Sequence, residues 1–145
     1  MKVGIANDHR GYKLKEELVD FLKSIGYDVI NYGSDTPDSV DYPVYAFKLG
    51  EAIRDGEIER GILIWRTGIG MSIACNKVKG VRCAKVDSVE DVALTRLDND
   101  SNVMAVSYVK DLTEIKEMVK TFLEMKFSGE LRHQRRIDLI NNYDN

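Results

Sequence analysis

The apolar positions of this chain change spacing repeatedly, from short unbroken runs to a helical period and back. Val3 to Ala6 is a short apolar run between polar residues, the pattern of a strand buried on both faces. From Lys13 the period becomes helical: Leu14, Leu18, Leu22 and Ile25 share one face, and Gly26 closes the helix. Tyr27 to Ile30 reads as a second strand. A loop with Gly33, Asp35, Pro37 and Asp38 leads through Asp41-Tyr42-Pro43 into the stripe Tyr45, Leu49, Ala52 and Ile53, ending near Gly56. Gly61 to Ile64 is the most continuously apolar strand, and it runs into Thr67-Gly68-Ile69-Gly70 and a helix reaching about Lys77. After Gly80, Val81 to Val86 reads as a fourth strand. Ser88, with Asp91 as its capping partner, opens a helix to about Leu97. Val103 to Val106 is a fifth strand. Asp111 then caps a helix whose Leu112, Ile115, Val119, Phe122 and Leu123 line one side. A last helix is expected from about Leu131 through Ile140.

Five strands alternating with helices predict an α/β protein with a parallel sheet covered on both faces and right-handed crossovers. The 145 residues fit one domain, 1–145, and show no linker, repeat or low-complexity stretch. The final helix has no strand after it, so Ile137, Leu139 and Ile140 need a surface, which a second subunit would supply.

Composition narrows the function. A net charge of -3 and a pI near 5.4 argue against a general nucleic-acid binder, though a local basic cluster can still hold a small anion. No apolar run approaches the ~20 residues needed to span a bilayer, and no apolar leader segment follows Met1-Lys2-Val3. The expected location is therefore the cytoplasm, with no membrane partner. Cys75 and Cys83 lack zinc-site spacing and sit among small apolar residues; they read as buried thiols, with a reactive role as the alternative.

In an open parallel sheet, ligands bind beyond the carboxyl ends of the strands. Three segments are expected to converge there: Asn7-Asp8-His9-Arg10-Gly11, Trp65 to Ser72, and Asp98-Asn99-Asp100-Ser101-Asn102. Glycines at 68 and 70 allow close backbone approach, and free N–H groups at a helix start attract negative charge, either a phosphate or the oxyanion of an enediolate. A tight strand-to-helix turn needing small residues gives the same pattern. The turn is neither a dinucleotide fingerprint, since Ile73 stands where the third glycine belongs, nor a P-loop. His9 places a group of near-neutral pKa at a strand end, or is a solvated loop histidine. Arg132 and Arg136 share a helix face at i and i+4, spaced to grip one phosphate or simply to face water. Asp98 to Asn102 lacks the central glycine and distal glutamate of a calcium loop.

In order and spacing, these segments resemble the ribose-5-phosphate isomerase B and galactose-6-phosphate isomerase family across nearly the whole chain. The carrying pieces are Asp8-His9, Asp41-Tyr42-Pro43, Gly61 to Ile64, Thr67 to Gly70, Asn76-Lys77, Gly80-Val81-Arg82, Asn99 to Asn102, and Arg132-His133-Gln134-Arg135-Arg136. The resemblance implies a Rossmann-like three-layer α/β/α sandwich with an extra C-terminal helix. It implies a homodimer or dimer of dimers with each site built across a subunit interface. It also implies aldose–ketose isomerisation through a cis-enediolate, with no metal and no cofactor. On that template His9, Arg132 and Arg136 handle the phosphate, the arginines coming from the partner subunit. Asp8, Tyr42 and Asn99 hold the sugar, while Thr67 and the backbone of Gly68, Ile69, Gly70 and Met71 stabilise the enediolate.

The departures from that family fall at the catalytic positions. Trp65 stands where many members place a cysteine base, and Arg66 where they have glycine; Met71 stands where others use a glutamate. Asp98 occupies the position of a ring-opening histidine, and Tyr108-Val109-Lys110 offers no counterpart for a further arginine. An indole cannot carry a proton between two carbons, so Trp65 either shapes the pocket, stacks on a sugar face, or fills a strand end. Asp8 or Asp98 is then the candidate base, provided burial raises its pKa. Ribose 5-phosphate is the default substrate. The alternatives are a sugar-phosphate-binding subunit without turnover and an isomerase of a more acidic sugar, with Arg66 reading the extra charge.

Overall fold

The computed structural model describes residues 1–36 and 38–143. Strands and helices alternate in the order Lys2–Asn7 (β1), Tyr12–Ser24 (α1), Asp28–Asn31 (β2), Tyr42–Arg54 (α2), Arg60–Trp65 (β3), Ile69–Cys75 (α3), Cys83–Lys85 (β4), Val89–Asn99 (α4), Val103–Ser107 (β5), Leu112–Glu124 (α5) and Leu131–Asn142 (α6). All pairings are parallel, and the strand order is β2-β1-β3-β5-β4. The expected α/β sandwich with a five-stranded parallel sheet and an added C-terminal helix is the fold of this chain.

Alternation along the strands divides the core in two. Val3, Ile5, Ile62, Ile64, Met104 and Val106 point to one face, where Leu18 and Leu22 of α1, Val92 of α4 and Ile115, Val119 and Phe122 of α5 cover them. Ala6, Leu63, Val103 and Ala105 point to the other, under Ala46 and Leu49 of α2 and Met71 and Cys75 of α3. Fully burying each large side chain contributes about 1.5–3 kcal/mol, which is why the central strands read as unbroken apolar runs.

Most expected ends fall within one or two residues. Gly26 takes φ +95 just beyond α1 and lets the chain turn back. The Ser88 hydroxyl accepts the Asp91 N–H at 3.1 Å, as the spacing predicts. Asp111 does stand at the cap of α5, but its side chain makes no capping hydrogen bond. Two segments are shorter than expected. The helix after the glycine turn ends at Cys75 and not Lys77. The fourth strand keeps only Cys83–Lys85 of the expected Val81 to Val86, because Val81 closes a turn on Val78 O and the Arg82 N–H is taken by the Asn102 side chain. Pro37, expected in the loop after β2, lies outside the described residues. Among the described residues no helix is long and apolar enough to cross a membrane.

Candidate active site

Strand order reverses direction between β1 and β3, whose neighbours β2 and β5 lie on opposite sides. Their carboxyl ends therefore flank a crevice, the usual ligand position in a doubly wound sheet. Pairing of Asn7 with Ile64 puts the segments that leave the two strands side by side.

From β1 the chain turns through Asp8, which is 3% exposed. Its Oδ1 accepts the Gly11 N–H at 2.7 Å and the Arg10 N–H at 3.0 Å, shaping the entry to α1. Burial pushes the Asp8 carboxyl above its ordinary 3.8; these two bonds and the charges of His9 and Arg10 pull the other way without cancelling it. His9 is half-buried, and its Nδ1 is buried without a hydrogen-bond partner in this chain.

From β3 the chain leaves through Trp65, Arg66 and Thr67. Trp65 is half-buried and packs at 4.8 Å and 55° against Tyr42, the first residue of α2. Arg66 and Thr67 are exposed, and the Arg66 carbonyl accepts the Ser107 hydroxyl. Gly68 takes φ +80, and an added Cβ would lie 3.3 Å from the Ala105 carbonyl. The turn thus rests directly on β5 and only glycine fits it without strain. At Gly70 an added Cβ would come within 2.8 Å of the Tyr42 ring, so Tyr42 closes over the turn. The first N–H groups of α3 have no acceptors inside the helix. That of Ile69 is held by Thr67 Oγ1 at 3.2 Å, which leaves those of Gly70 and Met71 for a ligand. The Met71 side chain is fully buried, so only its backbone can serve.

The third expected segment lies elsewhere, and the expectation of three converging segments is corrected. Asp98 and Asn99 form the last turn of α4, and the chain from them enters β5 instead of leaving a strand. In a parallel sheet that edge is the amino end. The Gly61 N–H bonds Asn102 O at 2.9 Å, and Arg82 Nε bonds Asn99 O at 3.2 Å, both at strand starts. Asp98 stays close to α6: its Oδ1 is 3.4 Å from His133 Nδ1. Arg132 and Arg136 are exposed on the same helix, with Arg132 Nε held by Glu130 at 2.8 Å. One chain therefore brings together Asp8, His9, Tyr42, Trp65, Arg66, Thr67, Gly68, Ile69, Gly70 and Met71. It gathers Asp98, Asn99, Arg132 and Arg136 at the opposite edge.

Two residues at the crevice were not singled out from the sequence. Lys85, at the end of β4, has its Cγ 3.4 Å from an added Cβ on Gly68, and Ser107 ends β5 while holding the Arg66 carbonyl. Each is a lone polar residue closing an apolar strand, a signal visible once strand ends are known. Cys75 and Cys83 are free and adjacent; the contact with Cys75, with burial, pushes the Cys83 thiol well up, so it is not a ready nucleophile, and Cys75 is fully buried.

Adjacent strand ends carrying a buried carboxylate and a glycine turn place the chain among proteins of the doubly wound α/β class. A narrower statement comes from comparison with known proteins. The family described as Ribose/Galactose Isomerase matches residues 3–140, and the chain belongs to that family of intramolecular oxidoreductases. Ribose-5-phosphate isomerase B of Escherichia coli K12 is 39% identical over 140 residues, 96% of this chain and 93% of that protein. The structure of ribose-5-phosphate isomerase B from Clostridium thermocellum is 44% identical with a TM-score of 0.94, covering 97% of this chain and 95% of that one. The Mycoplasma genitalium enzyme with bound ribulose-5-phosphate is 38% identical with a TM-score of 0.92, over 98% and 95% of the two chains.

Proposed function

We propose that this chain interconverts a phosphorylated aldose and its ketose, by default ribose 5-phosphate and ribulose 5-phosphate, through a cis-enediolate. The observation that carries this reading is the buried Asp8 carboxylate beside the glycine turn, on adjacent strand ends. In the open-chain aldose, Asp8 takes the proton from C2. The C–H electron pair becomes the C1–C2 double bond, and the carbonyl oxygen becomes the enediolate oxyanion. The Gly70 and Met71 N–H groups and Thr67 hold that oxyanion. Proton transfers between the two oxygens and delivery of the Asp8 proton to C1 complete the ketose, with no net loss of atoms or charge.

A second copy completes the site. His9 meets the phosphate from this chain, while Arg132 and Arg136 of the second copy approach from outside, with Asn99 on the sugar and Asp98 at the ring oxygen. Separation of the two residue sets to opposite edges of one sheet supports this, as does the bare apolar face of α6, where Leu139 and Ile140 are 69% and 56% exposed. Trp65 and Tyr42 form the wall against which the sugar carbons lie.

A coupled assay against ribose 5-phosphate, allose 6-phosphate and galactose 6-phosphate, with calorimetry alongside, tests the reading. Turnover of one of them is expected. If all three are left unchanged the reading falls, and binding without turnover identifies a sugar-phosphate-binding subunit instead.

A further inference from the structure

Lys15 lies on the wrong side of its helix for a lysine. The buried residues of α1 are Lys15, Leu18 and Leu22, so an ammonium group occupies the first place of the core-facing stripe. It is 2% exposed. A buried ammonium costs several kcal/mol unless its protons are matched. Lys15 Nζ donates to Ser34 O at 2.6 Å and to Asp35 Oδ1 at 2.7 Å, and it stands 5.3 Å from the centre of the Tyr12 ring.

The residues it holds are those that bracket the end of β1. Beyond the last residue of β2, the chain stays paired to β1: the Asn7 N–H bonds Gly33 O at 2.7 Å, and the Ser34 N–H bonds Asn7 O at 3.0 Å. Gly33 and Ser34 thus fix the backbone of Asn7, and Asp8 and His9 follow directly. This ribbon lies at the sheet edge, with no further strand outside it among the described residues. Lys15 closes that side. Asn31 Nδ2 adds a bond to the same Asp35 oxygen at 2.6 Å and turns the contact into a small network.

We propose that Lys15 is a positioning residue for the site: through Ser34 and Asp35 it holds the ribbon that sets Asp8 and His9 against the glycine turn. The ligand used to test this rests on the isomerase reading above. Only two histidines are present, His9 in the site and His133 on α6, so their imidazole proton resonances are separately assignable. In Lys15→Met, which keeps most of the volume and removes the charge and donors, the ligand-free His9 resonance should move while that of His133 stays. Ribose 5-phosphate should bind about tenfold more weakly, the factor given by about 1.4 kcal/mol. Asp35→Asn, which leaves the Ser34 carbonyl bond, should do the same to a smaller extent.

A Lys15 that only stabilises the fold would lower Tm and leave His9 in place well below the melting point. An unmoved His9 signal with unchanged affinity in folded Lys15→Met overturns the proposal. If that variant does not fold, the same two resonances in Asp35→Asn decide. If the wild-type chain binds no aldose phosphate, the isomerase reading fails, whereas the ligand-free His9 signal still settles the clamp.

Discussion

At 3% exposure Asp8 loses most of the water that would stabilise its charge, and the N–H groups of Arg10 and Gly11 do not make up the loss. Its folded pKa lies above 3.8, so its contribution to stability is present below 3.8 and is lost as pH rises through the folded value. On the mechanism proposed above activity runs the opposite way, since only an ionised Asp8 takes a proton, and the acid limb of kcat/KM should sit above 3.8. In Asp8→Asn the amide oxygen still accepts both N–H groups. That variant should fold with unchanged or higher Tm at neutral pH and lose about 10²–10⁴ in kcat, measured by the coupled assay and thermal melts. Asp35 has the reverse sign: Lys15 and Asn31 hold its pKa below 3.8, so its contribution is present above 3.8 and fades as pH falls below it. Gly68→Ala forces φ +80 on a residue with a Cβ, at a cost of about 1–2 kcal/mol. Gly70→Ala pushes on the Tyr42 ring instead, and Trp65 is the sole tryptophan. It should therefore change the tryptophan emission as well as kcat/KM; an unaltered spectrum would mean that Tyr42 does not close the turn. The sequence showed why glycine is needed at 68 and 70 only as a choice between ligand approach and tight turn, because the neighbours Ala105 and Tyr42 come from distant parts of the chain.

Among the helices, α6 is the least embedded in its own chain. Only His133 and Ile137 are buried, whereas Leu131, Leu139, Ile140 and Tyr143 are 87%, 69%, 56% and 84% exposed. Beside its end, Leu139, Ile140 and Tyr143 face Asn76 to Val81 across a groove of about 590 Å³. An apolar surface of this kind on a short helix needs a cover. If a second copy completes the site as proposed, Leu139→Glu with Ile140→Glu should lower the mass measured by sedimentation velocity to that of one chain and abolish turnover, since Arg132 and Arg136 would then leave the site. The thermal melt of the sandwich should shift little. The demand for a covering surface was legible in the apolar period of residues 131–140. Which edge of the sheet α6 serves was not, because its polar ties to the body, Asp98 to His133 and Arg82 to Asn141, join residues far apart in sequence.

Across the whole molecule, the amino edge is locked by two arginines on one carboxylate, whereas the carboxyl edge carries separate Lys15–Asp35 and Lys85–Asp87 pairs. Asp100 receives Arg96 Nη1 at 2.7 Å and lies 3.7 Å from Arg82 Nη2, with Arg96 itself 1% exposed. Arg96 also bonds Met125 O and Ser101 O, tying α4, β5 and the end of α5 together. Asp100→Asn should cost about 2 kcal/mol, read from urea unfolding, with little change in kcat of the remaining folded protein. The crevice at the other edge is held by backbone bonds, aromatic contact and the Lys15 network.

The apolar periods by themselves determined the number, type and approximate ends of the elements, because strand and helix repeats are local properties of the chain. They also placed Asp8, His9 and the glycine turn at strand exits, since direction along the sequence fixes which end of a parallel strand a segment leaves. Only the tertiary structure decided the order β2-β1-β3-β5-β4, the closing of Tyr42 over Gly70, and the contact of Asp98 with His133 of α6. Those outcomes depend on which faces pack together and where crossovers return. Such pairings are made between residues tens of positions apart, and no repeat in the sequence records them.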